Sequence, residues 1–274
     1  MIDSHSHSKL SHDGKVSIEE LRDRATSLGA QYLAVTEHLD RDYLYCGLSR
    51  ELFIRQLDLP KYRRDFLKAK EGAKGIYLAY GIEASYAIKA ENRYLKELSQ
   101  YPFDVIINSV HTVYKGDLYL GKAFKHTRAE AYGAYLEAVL ESVKASYEYD
   151  IVGHIGYVSR YAPYDQKSIC TSEFQGIIDE IIGEIVARGK TVECNTNVKL
   201  PGIVFLPEVA FLKRYKELGG ERVTFSSDAH TPDRICEKYA ETCRIVKSLG
   251  FENWTIYKER KPELVKIEDF NGLA

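Results

Sequence analysis

Residues 76–84, IYLAYGIEA, and 103–111, FDVIINSVH, decide how this chain is read. Each is a near-continuous apolar run rich in Ile, Val and Tyr, and each ends on a carboxylate or an imidazole, Glu83 and His111. A strand buried on both faces shows such a run, because neither face meets water. Five further stretches share the form: MIDSHSH (1–7), QYLAVTEH (31–38), DIVGHIG (150–156), KTVECNT (190–196) and RVTFSSDAH (222–230). Helical patterns separate them. SIEELRDRATSLGA (17–30) has Ser17 at the N-cap, Glu20 three residues on and Gly29 at its far end, the signs of a capping box and a glycine stop. TSEFQGIIDEIIGEIVARG (171–189), LPEVAFLKRYKELGG (206–220) and TPDRICEKYAETCRIVKSLG (231–250) are punctuated similarly, the last with Pro232 in its first turn.

Strand-then-helix units in series imply a parallel sheet with helical crossovers. Seven units predict a closed or nearly closed α/β barrel; a doubly wound open sheet is the alternative. No Pro/Gly/Ser-rich linker divides residues 1–274, so one domain is expected. The longest irregular stretch, residues 39–60, follows the second strand and suits a lid or a pocket wall.

The bulk numbers exclude several classes. With 45% hydrophobic and 28% charged residues among 274, the chain is an ordinary globular protein with a substantial core. A net charge of −2 does not point to a nucleic-acid or anionic-membrane surface, and leaves room for a local basic site. No secretory signal or membrane-spanning run is visible. Five scattered cysteines, none in a C-x-x-C pair, do not make a disulfide framework. The expected location is the cytoplasm, with reduced thiols.

The strand ends carry the chemical signal. The first strand ends in His5 and His7, the second in Glu37-His38, the third in Glu83, the fourth in His111, the fifth in His154 and the seventh in Asp228 and His230; the sixth ends in Asn195. In a parallel barrel these positions gather at the C-terminal mouth, where such folds build their sites. Residues two apart on a strand point the same way, so His5/His7 and Asp228/His230 can each aim a pair into one volume. A single buried histidine is most often a hydrogen-bonded core residue, and a His-rich N-terminus is often a tag. Here seven of eight histidines, His12 included, fall in one kind of place. Imidazole and carboxylate are ligands for Zn, Fe and Mn. With Glu83 and Asp228 they make nine side chains, enough for about three ions at three protein ligands each. The exception, His126 in KAFKHTR (122–128), is read as a surface or substrate-loop residue.

DSHSHSKLSHDG (3–14), TEH (36–38), GIEA (81–84), SVH (109–111), GHIG (153–156) and SSDAH (226–230), in this order, resemble the motifs of the PHP (polymerase and histidinol phosphatase) superfamily. The resemblance spans essentially the whole chain. GHIGYVSRY (153–161) and ECNTN (193–197) look most like its histidinol-phosphate phosphatase branch. It implies a distorted (β/α)7 TIM-like barrel and a trinuclear centre of divalent transition metals. Carried over motif by motif, His5, His7, Glu83 and Asp228 would hold the first ion. His111 and His154 would hold the second with Glu83 bridging, and His12, His38 and His230 the third. Members of the branch often have an arginine shortly after the ECN segment; this chain has Lys199 there.

The expected reaction is hydrolysis of a phosphate monoester, L-histidinol phosphate, in histidine biosynthesis, by in-line attack of a hydroxide bridging two metals. Arg160, six residues past His154, is the expected phosphate grip, and Asn195 and Lys199 are further substrate contacts. Asp228 or His230 could protonate the leaving alkoxide. Glu37 either orients a ligand or caps a helix. The run YKERKPE (257–263) is read as a solvated face. A PHP-type phosphoesterase for nucleotides, nucleic-acid ends or phosphotyrosine, a non-catalytic metal-binding protein, and an amidohydrolase-like enzyme are the alternatives.

Overall fold

A computed structural model describes residues 1–46 and 56–269. The first four strands are β1 (Ile2–Asp3), β2 (Tyr32–Leu39), β3 (Tyr77–Ser85) and β4 (Val105–Ser109). A small antiparallel hairpin of β5 (Thr112–Val113) and β6 (Gly116–Asp117) follows β4. The row continues with β7 (Ile151–Val152), β8 (Thr191–Asn195) and β9 (Val223–Ser226), each parallel to its neighbour. A C-terminal hairpin, β10 (Asn253–Lys258) and β11 (Lys261–Lys266), extends the sheet from β9. The seven expected strands are all present and in sequence order.

The two ends of the parallel row meet. Ser4 N donates to Phe225 O at 3.0 Å, Ser6 bridges Ala229 in parallel, and His7 N donates to Ala229 O at 2.8 Å. The architecture is TIM-like, with helices outside parallel strands. They are α1 (Ile18–Ser27), α2 (Asp42–Cys46), α3 (Leu59–Glu71), α4 (Glu91–Leu98), α5 (Arg128–Val143), α6 (Tyr157–Tyr161), α7 (Gln175–Ala187), α8 (Val209–Glu217) and α9 (Tyr239–Ser248). No helix among the described residues is long and apolar enough to cross a membrane.

Local chemistry explains most boundaries. Ser17 caps α1 and Glu20 returns the bond, its carboxylate accepting from Ser17 N at 2.7 Å. Thr127 and Glu130 repeat the arrangement at α5. Buried tyrosines of the outer helices direct their hydroxyls at strand carbonyls, as Tyr62 does at Val35 O (2.7 Å) and Tyr94 at Leu39 O (2.7 Å). A buried phenol requires such a partner.

Two expectations are corrected. Residues 231–250 are not one helix. Pro232–Arg234 form a 3-10 turn, Cys236 and Lys238 adopt left-handed backbone at φ 57° and 60°, and α9 begins at Tyr239. The cause is tertiary: the Asp3 carboxylate accepts from Cys236 N (3.0 Å) and Ser227 N (2.9 Å), drawing this turn onto the base of β1. The run 257–263 is only partly solvated. It forms the β10–β11 turn, with Tyr257 buried and Arg260 turned inward onto Asp150 at 2.5 Å. Of the 39–60 stretch, α2 is described and residues 47–55 lie outside the described residues.

β7 must approach β4 closely to deliver His154. A Cβ on Gly153 would lie 2.1 Å from Ser109 Oγ and 2.9 Å from Ile107 Cγ2. Gly153→Ala is therefore expected to destabilise the fold by about 1–3 kcal/mol. Urea unfolding reads this directly, and an unshifted midpoint would refute the close approach.

Candidate metal centre

The parallel register sets β2 and β3 so that His38 pairs directly with Glu83. His111 follows β4, His154 follows β7, and Asp228 and His230 follow β9. His5 and His7 lie just past β1, held in line by the Ser6–Ala229 bridge. All converge at the C-terminal ends of the strands.

Glu83 is at the centre and fully buried. Its Oε1 lies 2.9 Å from His154 Nε2 and 3.2 Å from His111 Nε2. Its Oε2 lies 2.7 Å from His38 Nδ1, 3.4 Å from His5 Nε2 and 3.6 Å from His7 Nε2. Asp228 Oδ1 is 3.3 Å from His7 Nε2 and 3.8 Å from His5 Nε2. Ligand atoms of one tetrahedral ion, each about 2 Å from it, stand roughly 3–3.5 Å apart. The spacing of His5, His7 and Asp228 fits one such ion, with Glu83 Oε2 beside both imidazoles, and that of Glu83, His111 and His154 fits a second; Glu83 and His111 also group with His38.

The hydrogen bonds support this fit. Glu193, 2.6 Å from His5 Nδ1, bears charge and accepts, so Nδ1 carries the hydrogen and Nε2 of a neutral ring is bare. Ser11 Oγ donates to Glu37, so towards His7 Nδ1 at 3.3 Å it can only accept, and His7 Nε2 is bare as well. These two nitrogens face each other at 2.9 Å. A proton on one ring or a metal cation relieves that repulsion. His38 Nδ1 and Glu83 Oε2 are likewise close, yet neither makes a hydrogen bond.

Charge follows the same geometry. Burial pushes the Glu83 and Asp228 carboxyls up, but the imidazoles around them outweigh it and hold both well below the usual carboxylate range. Burial pulls His5 down, and Glu193, Glu83 and Asp228 more than reverse this. His7, equally buried and facing His38 and His230, is lowered to about 3. It is thus neutral, the form that ligates.

A third group gathers His7, His38 and His230. Asp13 sits against it, 3.5 Å from His38 Nε2 and 2.9 Å from His230 Nε2. His12 stands further out, its ring centre 5.2 Å from that of His38 and its Nδ1 3.6 Å from Asp40. Asp40 also lies 3.5 Å from His111 Nδ1.

A cavity of about 650 Å³ opens above the centre, its wall including Tyr43, Tyr119, Tyr157, Lys199 and Arg234. Arg160, half-buried on α6 with its side chain 4% exposed, lies over the Tyr157 ring at 4.8 Å and reaches Asp228 Oδ2 at 3.7 Å. Asn195 is not in the cavity wall. It is fully buried and holds the site from behind, its amide donating to Asp228 Oδ2 (3.3 Å) and accepting from Arg160 (3.3 Å). The amide in the wall is Asn197. His126 is remote from the centre, stacked on Tyr114 at 4.1 Å. Glu37, opposite in direction to His38 as strand alternation requires, accepts from Ser8 N (3.1 Å) and Ser11 N (2.8 Å) and pins the loop after β1.

Sequence reasoning missed Glu193. Besides its bond to His5, its other oxygen accepts from His154 N at 2.5 Å, so one carboxylate orients two strand-end histidines. The available signal was its place two residues before Asn195, on the same inward face of β8. Glu193→Gln keeps the shape and loses the charge. It is expected to lower metal affinity or kcat/KM by about 10–100-fold, read by metal titration and steady-state rates. Unchanged values would remove Glu193 from the site.

The family model described as the PHP domain matches residues 3–197. A protein of Clostridium acetobutylicum named "Probable histidinol-phosphatase" is 31% identical over 261 residues, spanning 92% of this chain and 97% of that protein. A histidinol-phosphatase of Lactococcus lactis subsp. lactis is 27% identical over 263 residues, spanning 95% of each. The crystal structure of histidinol phosphate phosphatase from the same organism, complexed with Zn, L-histidinol and phosphate, matches with a TM-score of 0.84 and 26% identity. It covers 96% of this chain and 98% of that one.

Proposed function

This chain belongs to the PHP-domain family, and from that premise we propose that it is a metal-dependent phosphatase. Its substrate is L-histidinol phosphate, hydrolysed to L-histidinol and inorganic phosphate. The carrying observation is one buried carboxylate, Glu83, ringed by five imidazoles within 3.6 Å beneath a cavity that Arg160 adjoins. A storage site has no need of the guanidinium. Similarity to a phosphatase that holds Zn, L-histidinol and phosphate supports the substrate.

His5, His7, Glu83 and Asp228 would hold one divalent ion and Glu83, His111 and His154 another. His38 and His230 would hold a third, with His12 completing it by a modest movement of its half-exposed ring. Zn, Fe and Mn all suit these donors. Such ions neutralise charge on the phosphoryl oxygens and activate water as the nucleophile. The chain's own part is placement: Arg160 grips phosphate, and Asn195 fixes Arg160 relative to Asp228. The buried ring of imidazoles and carboxylates is set before substrate arrives.

The test is phosphate release from L-histidinol phosphate, with nucleotide monophosphates and phosphotyrosine in parallel and metal content measured on the same sample. We expect kcat/KM for histidinol phosphate to exceed the others by about a thousandfold and to vanish on chelation. Comparable rates on all esters would overturn the substrate, and no turnover at full metal content would overturn the enzyme.

A further inference from the structure

The phosphate of a monoester is a dianion at neutral pH and is best met by more than one fixed cation. Beyond Arg160, three cations line the cavity: Lys15, Lys199 and Arg234. The two lysines are exposed and make no ion pair with the described residues. Arg234 is different. Its Nη2 donates to Asn197 Oδ1 at 3.4 Å, and its Nε lies 2.6 Å from Glu237 Oε2. The turn that carries it is pinned by the Cys236 N to Asp3 bond at 3.0 Å.

Arg234 mirrors Arg160. Arg160 donates to Asn195 Oδ1 (3.3 Å), and Asn195 Nδ2 donates to Asp228 Oδ2 (3.3 Å). Arg234 donates to Asn197 Oδ1, and Asn197 Nδ2 donates to the same Asp228 Oδ2 (3.2 Å). Two guanidinium groups are thereby tied, each through one asparagine, to a single carboxylate oxygen at the edge of the metal centre. A side chain so held has already lost much of the freedom that a flexible lysine would lose on binding.

We propose that Arg234 is the second phosphate-binding guanidinium of this site, joining Arg160 at the phosphate. This rests on the phosphate-monoester reading above, but not on histidinol as the alcohol.

The experiment uses metal-loaded wild type, Arg234→Gln and Arg234→Lys. It measures inorganic phosphate affinity by calorimetry, L-histidinol affinity in the same way, metal content, and KM and kcat on L-histidinol phosphate. Arg234→Gln should weaken phosphate about 10–100-fold, as expected for a lost charged hydrogen bond, and raise KM comparably. Metal content and L-histidinol affinity should hold, and Arg234→Lys should recover only part of the loss. Phosphate affinity within twofold of wild type would overturn the proposal. So would an equal loss of L-histidinol affinity, which would make Arg234 a scaffold of the whole cavity. If wild type leaves histidinol phosphate intact yet binds phosphate through Arg234, the substrate assignment falls and this inference stands.

Discussion

Replacing Glu83 by glutamine is expected to lower kcat/KM by about a thousandfold or more and to cost the chain at least one bound metal. Five imidazole nitrogens lie within 3.6 Å of this one side chain, and it is fully buried. Glutamine keeps the volume, so packing around it is preserved. It removes the negative charge that five imidazoles face and puts an amide NH2 donor where an acceptor oxygen was. Metal chemistry contributes several kcal/mol to such reactions, and about 4 kcal/mol is a thousandfold in rate. Metal analysis of the purified variant, its circular dichroism and its steady-state rates decide the matter together. A folded variant with full metal content and a rate within tenfold of wild type would show that Glu83 bridges nothing.

Arg160→Ala should lower kcat/KM by about 10²–10³, the range found when one donor to developing charge is removed. It should do so with the metal content intact. The guanidinium is held by Asn195 at 3.3 Å and by the Tyr157 ring at 4.8 Å, so its position is set before a ligand arrives. Arg160→Lys keeps the charge but not the fork, and should recover only a minor part. Because Arg160 also faces Asp228 at 3.7 Å, loss of metal in the alanine variant would recast it as a support of that ligand. The pair of measurements separates the two roles.

Histidine and carboxylate at the ends of apolar runs were legible because a strand buried on both faces has a plain signature. The chemistry then sits where that signature stops. The capping box at Ser17 and Glu20 was legible because it closes within three residues. The division of 231–250 into a turn and a helix was not, because the group responsible, Asp3, lies more than 200 residues away in the chain. The C-terminal hairpin is not legible in the sequence for a related reason. Tyr257 belongs to the core only because its carbonyl accepts from Tyr32 OH at 2.9 Å and its hydroxyl meets Thr191 at 2.9 Å.

By itself, the sequence determined the seven repeating units, their order and the residue types presented at their ends. These follow from periodicities of two and of about 3.6 and from caps a few residues long. Only the tertiary structure decided which of those ends lie within a few ångströms of one another, that His12 stands apart while Asp13 and Asp40 stand close, and that Glu193 braces His5. It also moved Asn195 behind the site and brought Asn197 and Arg234 to its wall. His5 and Glu193 are separated by 188 positions and meet at 2.6 Å because strands far apart in the chain close around one axis. Local patterning carries no record of such a distance; the ring of backbone hydrogen bonds sets it.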